Sequence, residues 1–181
     1  MSAEPRFVRE YSNLLSEIGP LAFRDRFKYS VLVGFGLVAQ VAEEPQGWPR
    51  RTLPLSPFDE CLAAQSVLDR VWIIQRRPAG SPVGPVTSGR VTLGQDEDND
   101  VVLSDPSVSG RHCAFTVPSA GPQIEDLGSL NGTTVNGVRL GPNEPTAIRD
   151  RAAVVIGRIK AQYLTRSSFY TLVAQHADLD R

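Results

Sequence analysis

Ser109 and His112 stand three residues apart, Asp126 follows, and Asn131-Gly132-Thr133 and Asn136-Gly137 close the same stretch. By residue type alone, Ser109, His112 and Asp126 could be strung together as nucleophile, base and orienting acid. Their surroundings do not support that chemistry. Ser109 is not in a G-x-S-x-G nucleophile elbow, and no glycine-rich oxyanion loop follows a strand in the required way. There is no P-loop, and no His/Cys set has metal-ligand spacing. Gly34-x-Gly36-x-x-Ala39 formally matches a dinucleotide fingerprint, but Pro45, Pro49 and Pro54 leave little room for the crossover helix it needs. The expectation is a non-enzyme with no catalytic residue, no metal and no cofactor.

The same residues suit recognition. A short Ser hydroxyl at a loop tip can donate to a phosphate oxygen, and exposed backbone N–H groups in Gly-rich turns can add to it. Asn131 carries both a donor and an acceptor, as gripping an extended peptide backbone requires. Each residue also has a purely structural reading: Ser109 as a turn former after Asp105-Pro106, and Asn131 as a left-handed turn residue before Gly132.

The elements that must position these loops are short and β-like. After Asp69, apolar runs recur between turn signals at Val71–Ile74, Val91–Leu93, Val101–Leu103, His112–Val117, Gln123–Leu127, Thr133–Val135, Val138–Leu140, Ala152–Ile156 and Gln162–Leu164. Such spacing predicts a β-sandwich, and Asn136-Gly137 predicts a type I′ hairpin between Val135 and Val138. Upstream, Phe7, Tyr11, Leu14, Leu15 and Ile18 fall on one helical face that stops at Gly19-Pro20, with a short helical piece around Leu21–Phe27. Val31–Val41 is apolar on nearly all sides, so periodicity does not separate strand from buried helix; strand is preferred. Glu44–Leu55 and Pro78–Pro85 read as irregular segments. Ser56-Pro57 with Asp59-Glu60 opens a helix, and Ser168–Leu179 closes the chain as another. The division expected is 1–57 as an N-terminal extension, 58–68 as a linking helix, 69–165 as the β-domain and 166–181 as a C-terminal helical tail.

The 181 residues are 41% apolar and 22% charged, with a net charge of −1, the profile of an ordinary globular chain. No global field attracts nucleic acid or an anionic membrane. The N-terminus lacks the apolar core of a signal peptide, and Tyr29–Ala42 is too short to span a bilayer. Cys61 and Cys113 have no neighbouring ligand set, which favours a reduced, cytoplasmic setting.

Taken in order, Leu93-Gly94, Asp100-Val101-Val102-Leu103, Asp105-Pro106-Ser107-Val108-Ser109-Gly110-Arg111-His112, Ser129-Leu130-Asn131-Gly132-Thr133 and Asn136-Gly137 resemble the motif series of the forkhead-associated (FHA) domain. The resemblance covers about Asp69–Thr165 and implies a mainly β fold, an FHA-like sandwich of about eleven strands. The implied ligand is a phosphothreonine-containing partner protein, such as a substrate of a Ser/Thr kinase. By analogy Ser109 meets the phosphate, Asn131 holds the peptide main chain, and Arg111, Leu130 and Thr133 line the loop edges. His112 would brace the loops, with Gly94, Gly132, Asn136 and Gly137 as structural positions. Two positions depart from the family pattern: Gln95 replaces the Arg of its Gly-Arg turn, and Gly110 follows the Ser where Arg or Asn is common. Gln95 brings no charge, so losing a charge-assisted bond of about 1.5–3 kcal/mol would weaken binding roughly 10- to 150-fold. Asp96, Glu97 and Asp98 add repulsion if they face the phosphate. The alternative is a phosphorylation-independent scaffold using this surface or the N-terminal region. Oligomeric state is left open.

Overall fold

The computed structural model describes residues 6–38, 67–76 and 89–179. The irregular segments expected at 44–55 and 78–85, and all but the end of the helix expected at 58–68, lie outside them.

Among the described residues, eleven strands form two sheets. They are β1 (Val31–Leu37), β2 (Val71–Ile73), β3 (Arg90–Gly94), β4 (Val101–Val102), β5 (Cys113–Thr116), β6 (Gln123–Asp126), β7 (Thr133–Val135), β8 (Val138–Arg139), β9 (Thr146–Ala147), β10 (Ala153–Ile156) and β11 (Ile159–Leu164). One sheet has the order β2-β1-β11-β10-β7-β8, the other β4-β3-β5-β6-β9. Inward residues of both sheets, including Leu93, Phe115, Ile124, Val154, Ile156 and Tyr163, make one core, with the Phe115 and Tyr163 rings stacked 5.8 Å apart. The mainly β sandwich expected from the spacing is the fold observed.

Helices flank it at both ends of the chain. Gly19, with φ 79° and ψ 164°, is not helical and divides α1 (Val8–Arg26) into the two helical pieces expected on either side of Gly19-Pro20. Helix α2 (Arg166–Leu179) follows β11 directly. Together they bury Val8, Tyr11, Leu15, Phe23, Phe169 and Val173 against Val31, Val33, Val71 and Leu164 on the outer face of the larger sheet.

Strand β1 sits between β2 and β11, although its residues fall within the expected 1–57 extension. Its alternation explains this. Leu32 faces the sandwich core opposite Tyr163, while Val31 and Val33 face the helices. Gly34 is also fixed by packing, since a Cβ there would collide with the Val67 carbonyl oxygen. Both glycines of the formal dinucleotide motif therefore lie within a strand, at a bulge between Gly34 and Gly36, and not in a turn that follows a strand.

Candidate functional site

The loops between β3 and β4, β4 and β5, and β6 and β7 converge, and backbone contacts tie them. Gln95 N–H donates to Ser109 O at 3.0 Å, Asp96 N–H to Gly110 O at 3.1 Å, and His112 N–H to Leu93 O at 2.9 Å. Gly94 allows this approach, because a Cβ there would run into the Gly110 carbonyl. Asn99, fully buried, donates from Nδ2 to Asp96 O at 2.8 Å and to Gly110 O at 2.7 Å, pinning the first loop on the second.

His112 joins the second loop to the third. Its Nδ1 accepts from Ser109 N–H at 3.0 Å, which assigns the proton to Nε2, 3.1 Å from Gly132 O. Burial pushes its pKa below the ordinary histidine value, against the opposing pull of the Gly132 carbonyl and Asp126. A neutral, bridging His112 is what both bonds require.

Asp126 ties the third loop. Its Oδ1 accepts from Gly128 N–H at 2.9 Å and Ser129 N–H at 2.8 Å; Oδ2 accepts from Ser129 Oγ at 2.7 Å and Thr133 Oγ1 at 2.6 Å. Burial alone would raise its pKa. The bonds from Ser129 and Thr133, with His112 nearby, outweigh that and hold it below the usual carboxylate range. Asp126 is thus an anchor for the loop, not the acid of a triad: His112 places both ring nitrogens on backbone groups.

At the outer edge, Ser109 Oγ accepts from Leu130 N–H at 3.0 Å, and Leu130 is 65% exposed. Asn131 lies half-buried beside it and donates from Nδ2 to Ser107 O at 2.8 Å. The fold thus brings Ser109, Leu130 and Asn131 together, with exposed Gln95 on the adjoining turn. Arg111 is exposed and pairs with Asp98 at 2.9 Å. The Asp96 carboxylate lies over Gly110, where a side chain would otherwise project.

Thr133 departs from its expected place on the loop edge. It is fully buried, and its hydroxyl is bonded to Asp126, so it braces the loop from within. Gly132 adopts φ 79°, and Asn136 and Gly137 adopt φ 51° and 81°, the type I′ turn between β7 and β8. Asn136 also accepts from Ala153 N–H at 2.9 Å.

Sequence reasoning missed a second buried network beneath Ser109. Asp105 accepts from Ser107 N–H and Oγ–H and pairs with Arg158 Nε at 3.0 Å; Arg158 N–H donates back to Ser107 Oγ at 2.9 Å. Asp105 stood in a recognisable motif, whereas nothing local marked Arg158, 53 residues away.

The edge formed by Ser109, Leu130 and Asn131 is carried on a two-sheet sandwich. The FHA domain model matches residues 91–157. Similar proteins include an ABC transporter ATP-binding/permease protein, Rv1747, of Mycobacterium tuberculosis, 34% identical over 80 residues, spanning 44% of this chain and 9% of the relative. The glycogen accumulation regulator GarA of Mycolicibacterium smegmatis is 32% identical over 51% of this chain and 64% of its own length. An oxoglutarate dehydrogenase inhibitor of Corynebacterium efficiens is 30% identical over 48% of this chain and 68% of its own. The chain belongs to the FHA family.

Proposed function

We propose that this chain is a phosphothreonine-peptide-binding adaptor or regulatory protein, acting through the edge formed by Ser109, Leu130 and Asn131. One observation carries the reading: Ser109 Oγ is held between two loops by Leu130 N–H at 3.0 Å. With the oxygen accepting from the main chain, the hydroxyl proton is left to donate to an incoming phosphate. Asn131, steadied through Nδ2, keeps its carbonyl oxygen for the main chain of an extended peptide. Gln95 stands where the family carries Arg, so the affinity is weakened. The relatives that are themselves a regulator and an inhibitor support a regulatory role without a reaction of its own. A reduced, cytoplasmic setting is part of this reading, in keeping with Cys113 as a free, buried thiol.

A second reading has its own support. Arg111 is engaged by Asp98 and the Asp96 carboxylate covers Gly110, which favours a partner without phosphate. Titration of matched phosphothreonine, phosphoserine and unmodified library peptides separates the two, using wild type, Ser109→Ala and Gln95→Arg. Phosphothreonine preference that is lost in Ser109→Ala and increased in Gln95→Arg supports the phosphopeptide reading. Equal binding of all three peptides, with no gain in Gln95→Arg, supports the scaffold.

A further inference from the structure

A charge-assisted bond from a cation strengthens phosphate binding, and two arginines of the loop region can be weighed for it. Arg111 is the nearer in sequence to Ser109, but its guanidinium is already bonded to Asp98 at 2.9 Å. Arg139 is different. It lies on β8 opposite Thr134 of β7 and is exposed. Residues alternate across a strand, so half-buried Thr134 and its cross-strand partner Arg139 lie on the face opposite buried Thr133 and Val135. The Arg139 side chain lies over Gly132. Its Cζ and Nη2 are 2.5 Å, and its Nε 3.0 Å, from the point a Cβ on Gly132 would occupy. A side chain at 132 would displace it. Among the described residues Arg139 makes no ion pair.

Its place is next to the recognition edge. Gly132 directly follows Asn131, and the Gly132 carbonyl is joined through His112 to the Ser109 backbone. The Asp96 carboxylate lies over Gly110 instead. The guanidinium fork is suited to bidentate phosphate contact.

We propose that Arg139 is a phosphate-contacting residue, supplying from β8 the positive charge that Gln95 does not bring. This rests on the phosphopeptide reading above. It also separates the two cations: Arg139 has no ion pair to break among the described residues, whereas Arg111 must first leave Asp98.

The test uses the full chain and a phosphothreonine peptide selected from a library, with its unmodified twin, by fluorescence anisotropy. Arg139→Gln is expected to lower phosphopeptide affinity roughly 10-fold or more, with the twin's binding unchanged. Arg139→Lys, keeping charge but not the fork, falls between. The Arg139 Nε–H resonance in NMR spectra shifts on adding the phosphopeptide and not on adding the twin. If wild type prefers the phosphopeptide and Arg139→Gln keeps that preference, the assignment to Arg139 is wrong while the phosphopeptide reading survives. An Nε–H resonance unmoved by phosphopeptide overturns the assignment equally. If wild type binds both peptides alike, both readings fall.

Discussion

Replacing Thr133 by Val and Asp126 by Asn, singly and together, examines the device that holds the third loop in place. Thr133→Val keeps the shape of a fully buried side chain and deletes only its 2.6 Å bond to the Asp126 carboxylate. A hydrogen bond to a charged group is worth about 1.5–3 kcal/mol, so that is the expected loss in unfolding free energy. Asp126→Asn keeps one oxygen for the Gly128 and Ser129 amides but turns the other into a donor facing two hydroxyls. It removes the charge from four bonds at once, and about 2–4 kcal/mol is expected. The Thr133–Asp126 bond is absent from either single variant. The double variant should therefore lose less than the sum, by about 1–2 kcal/mol. Urea unfolding at constant slope measures all three. Additivity within about 0.3 kcal/mol would refute the claim that these side chains act as one anchor. Peptide titration of the stable variants adds a functional readout. Leu130 and Asn131 ride on the loop that Asp126 ties, so affinity falls in both single variants even where they stay folded.

Three further outcomes follow from the buried contacts. Arg158→Met leaves Asp105 as an unpaired charge between side chains only 13% and 8% exposed, and should cost about 3–5 kcal/mol in urea unfolding. Gly94→Ala forces a methyl group against the Gly110 backbone and should cost about 1–3 kcal/mol while loosening the Ser109 loop, read as faster amide exchange at Gln95 and Asp96. His112 has a lowered pKa in the fold, so the unfolded chain takes up its proton first as pH falls. Its contribution is complete above about pH 6.5, declines below that value and is lost as pH passes through the lower folded pKa; unfolding curves of wild type between pH 7 and 5 should show this decline, and His112→Gln should reduce it.

The strands and loop cluster were legible because they are local. Asn136-Gly137 announced its turn through two residues able to adopt positive φ, and the structure gives them 51° and 81°. The run Val31–Val41 was ambiguous for a reason the fold supplies. β1 is buried on both faces, by the sandwich core at Leu32 and by the helices at Val31 and Val33, so no polar face marks its period. β9 (Thr146–Ala147) escaped notice because two residues show no period at all. At the site, Ser109 and Asn131 could be named from their motifs, but burial could not. Thr133 looked like a loop-edge residue until the pairing of β7 with β10 turned it inward towards Asp126. Asn99, Arg139 and Arg158 act through partners 11 or more residues away or across a strand pair, and spacing along the chain carries no trace of that.

The proposed role of the Ser109–Leu130–Asn131 edge is to receive a phosphothreonine peptide. Backbone-amide NMR of the full chain with a phosphothreonine peptide and its unmodified twin tests it most directly. Shifts are expected at Ser109, Leu130 and Asn131 with the phosphopeptide and none with the twin. Equal shifts with both peptides, or shifts confined to α1 and α2, would contradict it.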